Sequence, residues 1–301
     1  MILLSGYLVL KNERLQKKVV KTVTESLSNK VNSNVSLQHI DWSFPNGFIL
    51  ENVYIEDQNK DSLLSIERTK VTLNIWDLLH SKVSFRTIQM QGMKAHIYRN
   101  KKEKYNFQFF IDAFQNNDQD TTRIKWSMDV ESIAFDDCAV YYHKEGYTAQ
   151  KNHFDPNDLG IYSLDGYLHV RCFTKDSINV KLHNISFKEK SGLELDGLST
   201  TFISNKESMS FNNFVAKLPN SRLSLNDATF QHDNYEAFKD FVNDVYFNVE
   251  IAPSKVSLRD LAAFVPAFQK IDEEINLEGD ISGRVSKLLF TGMNVRYGEN
   301  T

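Results

Sequence analysis

Apolar and polar residues alternate along most of this chain, in short runs that come in pairs joined by polar turns. The paired unit occurs at residues 36–57 (SLQHIDWSFPNGFILENVYIED). It recurs at 85–99 (FRTIQMQGMKAHIYR), 130–143 (VESIAFDDCAVYYH), 183–204 and 211–230. Period two puts every second side chain on one face of a sheet. The pattern therefore predicts a mainly β protein, a meander of hairpins in antiparallel order with one apolar face. Candidates for that face are Ile133, Phe135, Val140, Leu168, Val170, Val180, Leu182, Leu195, Phe211 and Leu225. Alternation sets neighbours such as Ser132 and His169 outward. An apolar face must be covered, either by closure into a sandwich or barrel or by helices and ligands on an open sheet.

Three stretches break period two. Residues 11–30 predict an amphipathic helix, with Leu15, Val19, Val23 and Leu27 four apart and Lys17, Lys18 and Lys21 off that stripe. It packs on a domain end, or lies just outside a bilayer with its lysines near headgroups. Residues 105–114 (YNFQFFIDAF) place Phe107, Phe110, Ile111 and Phe114 at i, i+3, i+4 and i+7, which predicts a short apolar helix plugging the sheet. Residues 257–269 (SLRDLAAFVPAFQ) predict a second such helix carrying Leu261, Phe264 and Phe268, with Ser257 and Asp260 as a capping box. Shorter helical signals fall at 75–80 and 233–243.

Residues 1–10 (MILLSGYLVL) are apolar and uncharged but too short to span a bilayer. They read either as a first strand or as the remnant of a membrane anchor, and the helix that follows favours the anchor. Residues 31–115 form a first β module that ends in the apolar helix. Residues 116–122 (NNDQDTT) are the best linker. Residues 123–301 form a second β module, whose last alternating run stops without a cap. That predicts a truncated edge, with strands continuing past Thr301 or pairing there with something else.

Composition sharpens the picture in one direction. Hydrophobic residues make up 41% of the chain and include 21 Phe, enough for a sizeable core, while 12 Gly and 5 Pro exclude collagen-like and low-complexity classes. The net charge is −4 and no basic stretch interleaves with aromatics, which argues against nucleic acid. Cys138 and Cys172 make neither a disulfide framework nor a metal motif. They read as free thiols, with a single bridge as the alternative. Asp57, Asn59 and Asp61 open like a calcium loop, but Ser62 stands where glycine is needed and Arg68 where the bidentate glutamate is needed. His143, His153 and Asp155, with Asp158 nearby, are the closest cluster of ligating types, and they read as a surface loop. No hydrolase, nucleotide-binding or metalloprotease motif is present, so neither a cofactor nor a reaction centre is expected. Three functions compete: a lipid conduit, a β-rich surface adhesion or ligand-binding module with a closed core and Tyr141, Tyr142 and Tyr147 as platforms, and an enzyme built on the histidine cluster.

The order of parts resembles the AsmA-like family, most of all its TamB-type inner-membrane subunits of the translocation and assembly module in Gram-negative bacteria. The matching stretches are LQKKVVKTVTESLSNKVNSNVSLQHIDWSFPNGFILENVYIEDQNKDSLLSIERTKVTLNIWDLL, VSFRTIQMQGMKAHIYR, YNFQFFIDAF, VSLRDLAAFVPAF and INLEGDISGRVSKLLFTG. The resemblance implies an elongated, curved, groove-shaped sheet in a periplasmic protein anchored to the inner membrane. It also implies phospholipid acyl chains as ligands and an outer-membrane assembly-barrel partner reached through a carboxy-terminal region not in this sequence. The anchor is incomplete here as well.

Overall fold

The computed structural model describes residues 13–43, 46–73, 82–115, 125–127, 130–149, 153–174, 176–234, 237 and 240–298. The expectations for residues 1–10, 75–80 and 116–122 lie outside them. Among the described residues the protein is mainly β, as the alternation predicts. It has sixteen strands: β1 (Val35–Ser36), β2 (His39–Ser43), β3 (Gly47–Glu56), β4 (Ser62–Leu73), β5 (Lys82–Gln91), β6 (Lys94–Arg99), β7 (Lys125–Ser127), β8 (Ser132–Lys144), β9 (Asp158–Phe173), β10 (Ser177–Glu189), β11 (Glu194–Asn205), β12 (Ser208–Lys217), β13 (Arg222–Gln231), β14 (Tyr246–Ser257), β15 (Glu274–Arg284) and β16 (Lys287–Tyr297). The chain forms two compact units, residues 1–149 with 155–164, and residues 150–154 with 165–301. Their division falls inside β9.

The first unit orders its strands β1-β3-β4-β5-β8, with β2 on β3 and β6 on both β4 and β8. Two predicted hairpins here do not reverse the chain. β5 and β6 run on in one direction, both parallel to β8, with Met90 opposite Phe135 and Ala95 opposite Val140. Gly92 sits between them at φ 63, and Asp137 in the middle of β8 at φ 48. A left-handed residue inside a strand makes a bulge, which kinks the ladder without reversing the chain. The turn chemistry at QGMK and DDCA is thus bulge chemistry, and the sheet is mixed. Parallel pairing needs a crossover, and helix α2 (Gln108–Gln115) lies in the connection from β6 to β8.

Helix α1 (Glu13–Val31) ends where Asn32 turns left-handed at φ 49. The Ser28 hydroxyl then accepts the Val35 N–H at 3.0 Å. From its predicted stripe Leu27, with Val31 one turn on, packs against Val35, Ile55 and Leu63, together with Phe107, Phe110 and Ala113 of the α2 region. Val23 is exposed. A second buried cluster, Ile66, Met93 and Cys138, lies between β4 and β8.

The second unit is an antiparallel meander from β10 to β16. The predicted helix at 257–269 is instead two 3-10 turns, Leu258–Leu261 and Pro266–Lys270. Pro266 lacks an N–H and bars the helical region to Val265, which is extended at φ −131, ψ 91. Ser257 makes no side-chain cap. Asp260 holds the β12–β13 turn, accepting from the Asn220 N–H at 2.9 Å and the Ser221 hydroxyl at 2.6 Å. Of the signal at 233–243, the regular helix among described residues is the turn Phe241–Asp244.

Candidate functional site

Register assembles the site in the second unit. Residues directly opposite on paired strands share a face. One such row runs Val180, Phe202, Phe211, Ala228, Val249, Ile281, Phe290 across β10 to β16. Two residues along, Ile178, Ser204, Met209, Phe230, Phe247, Gly283 and Leu288 form a second. The rings touch: Phe202 to Phe211 at 5.0 Å between centroids, Phe211 to Phe230 and Phe230 to Phe247 at 6.2 Å each. Phe241 of the helical turn reaches Phe230 at 6.2 Å.

This face is covered differently from the first unit's core. Both clusters of buried apolar residues among those described belong to the first unit. Val180, Phe202, Phe211, Phe230, Phe247, Val249 and Ile281 are half-buried. At the sheet edge Leu288 is 39% and Phe290 55% exposed.

The predicted face residues divide between the two settings. Ile133, Phe135 and Val140 are half-buried on β8, and Phe135 and Val140 pack against the Cys138 cluster as ordinary core. Ser132, expected outward, is buried, its hydroxyl 3.2 Å from that of Thr87, while His169 is half-buried. Leu168 and Val170 are half-buried on β9, as are Val180 and Leu182 on β10, Leu195 opposite Phe187, and Leu225 between Phe214 and Ile251. Val180 and Phe211 fall in the first apolar row. Alternation does not single out Phe202, Phe214, Phe230, Phe247, Val249, Ile281 and Phe290, because each strand's pattern says nothing of its neighbour's register.

Of the plug residues, Phe107 and Phe110 pack on the first unit's core and Ile111 is 37% exposed. The Phe114 side chain lies outside the described residues. Leu261 and Phe268 are half-buried, and Phe264 is 42% exposed, with Phe154 at 5.0 Å.

The chemical candidates are occupied locally. Asp57 is buried. Its Oδ1 accepts the Asn59 and Asp61 N–H groups at 2.7 and 3.1 Å, and its Oδ2 accepts the Asn106 amide at 3.2 Å. It is an Asx turn closing the β3–β4 hairpin. Burial, and then the Asp57 carboxylate, push the Tyr98 phenol above its ordinary range. His143 pairs with Asp158 at 3.2 Å, and Asp155 accepts the Asn157 N–H at 3.0 Å. Among the described residues no group of three or more His, Cys, Asp and Glu is placed to hold a metal. Cys138 and Cys172 are free thiols. Tyr141 stacks on His96 at 4.9 Å and Tyr142 tilts against Tyr105 at 6.4 Å.

These features define a mainly β scaffold whose most distinctive surface is one face of a sheet. The AsmA family model matches residues 1–161, and the chain belongs to the AsmA family. No individual curated protein matches it. Among the described residues no helix is long and apolar enough to cross a membrane.

Proposed function

We propose that the apolar face of the second unit holds lipid acyl chains, and that the protein works without catalysis as a TamB-type member of its family. In that role it is anchored at the inner membrane, faces the periplasm, and serves phospholipid movement between membranes and outer-membrane protein assembly. The observation that carries this reading is the seven-strand row from Val180 to Phe290, in which Ala228 is buried, Phe290 is exposed and the other five residues are half-buried. Six inter-strand steps of about 4.8 Å give the row a contour of about 29 Å, long enough for an acyl chain to lie across it. Each methylene taken out of water there contributes about 0.8 kcal/mol. Family membership supports the membrane context.

The test is site-specific photocrosslinking in the full chain within Gram-negative cells. Crosslinkers at Phe214 and Val249 capture phospholipid, and crosslinkers at the exposed Asn226 and Asn248 do not. Capture from both sets, or from neither, rejects the reading.

A further inference from the structure

The polar face of the same strands carries a feature that no linear stretch of sequence displays. Lys217 on β12 stands opposite Arg222 on β13, Arg222 opposite Lys255 on β14, Lys255 opposite Asn276 on β15, and Asn276 opposite Arg296 on β16. All five are exposed. Asn276 and Arg296 alternate with Leu277 and Val295, which places this row on the face away from the apolar rows.

Three cations stand directly opposed on successive strands, their β-carbons about 5 Å apart at each step, and like charges so placed repel one another. Acidic neighbours relieve this only in part. Glu274 pairs with Lys255 at 2.7 Å, and Glu278 accepts the Asn294 amide at 3.0 Å. Among the described residues Lys217, Arg222 and Arg296 make no ion pair. A concavity of about 410 Å³ opens over the ladder, lined by Arg222, Lys255, Asn276, Asn294 and Arg296 among others. Two guanidinium groups, an ammonium, two carboxamides and the single carboxylate of Glu278 line it, an excess of positive charge in a chain whose net charge is −4. Guanidinium forks match the oxygens of phosphate, and carboxamide N–H groups add neutral donors.

We propose that this ladder is a binding site for a phosphate group. It is independent of the apolar face and lies on the opposite side of the sheet. The bound group offsets the cross-strand repulsion, so its binding stabilises the second unit.

The test titrates the full chain with inorganic phosphate, and separately with phosphatidylcholine vesicles with and without phosphatidylglycerol. Binding is read by calorimetry and the melting temperature is followed alongside. The triple variant Lys217→Gln/Arg222→Gln/Arg296→Gln is expected to bind roughly tenfold more weakly. A control neutralising the exposed Lys181, Lys206 and Lys270 binds as the parent does. The parent's affinity falls as salt rises. Binding of inorganic phosphate supports a soluble source for the group. Binding only of phosphatidylglycerol vesicles supports a lipid headgroup. The proposal is overturned if neither probe binds, if the triple variant binds as tightly as the parent, or if the control weakens binding equally. With no phosphate and at low salt the triple variant melts no lower than the parent, since repulsion has been removed. A lower melting point also overturns the proposal.

Discussion

The rings of Phe211 and Phe214 meet edge to face, 6.4 Å between centroids, although three positions separate them on one strand. In an unbroken strand, positions i and i+3 point to opposite faces. Asn213 sits between them at φ 52 and changes the phase, so both rings share the apolar face. Asn52, Asp137, Ser163 and Asn184 do the same in β3, β8, β9 and β10, at φ values from 48 to 53. Asparagine and aspartate tolerate this left-handed conformation better than other residues that carry a Cβ. A β-branched residue does not. Asn213→Val is therefore expected to lower stability by about 1–3 kcal/mol, and Asn213→Gly to leave it unchanged or raised. Asn248→Val, at an exposed strand position without a positive φ, is the control. Urea unfolding of the three variants decides it, and equal losses at 213 and 248 would mean the phase change carries no strain.

The same residues explain what was legible in the sequence. Alternation identified the β class and the faces within each strand, because period two is a local property. It also read QGMK and DDCA as hairpin turns. Gly92 and Asp137 carry the positive φ that both a tight turn and a bulge require, and only the partner strand distinguishes them. Of the ten residues that alternation assigns to the apolar face, Phe135 and Val140 on β8 pack on the first unit's buried cluster instead. The aromatic rows and the basic ladder were out of reach, since both depend on which residues face each other across strands.

Tyr98 makes the protein's alkaline limit a local question. Its phenol is raised first by burial, then by the charge of Asp57, with Asp61 and Glu145 adding to it. The unfolded phenol titrates near pH 10. A folded value above that means the contribution is complete below about pH 10 and is lost as pH rises through the folded value. Above about pH 10 the parent should therefore lose more unfolding free energy than Tyr98→Phe, as read by urea titration at each pH. Parallel losses would show that other groups set the limit.

Gly279 joins β15 to the edge strand by close approach. It lies at φ +127, and a Cβ there would come within 2.7 Å of the Met293 Cα and 2.9 Å of the Gly292 carbonyl oxygen. Both contacts are backbone, so no side chain can swing away. Gly279→Ala is expected to destabilise by about 2–4 kcal/mol and to act locally. Hydrogen exchange should show lost protection in β15 and β16 and unchanged protection in β3 and β4. Full protection in β16 would mean the strands part and re-pair at little cost.

Phe110 and Phe211 separate a closed core from an open apolar face. Phe110 packs with Val31, Val35, Ile55 and Leu63, where truncation leaves a void that the surrounding strands and α1 cannot fill. Phe110→Ala is expected to cost about 2–4 kcal/mol and to leave lipid capture at Phe214 and Val249 unchanged. Phe211 touches Phe202, Phe214 and Phe230 but is half-buried. Phe110 is half-buried too, but it packs on a buried cluster, whereas Phe211 packs on none among those described, so Phe211→Ala leaves no enclosed void and costs about 1 kcal/mol in lipid-free protein. Its larger effect should fall on lipid capture, because the ring is part of the surface on which acyl chains lie. Denaturant unfolding and crosslinking of both variants give four readings. If Phe211→Ala costs as much as Phe110→Ala and leaves capture intact, the second unit's aromatic rows are core, and the acyl-chain reading fails at the residues on which it rests.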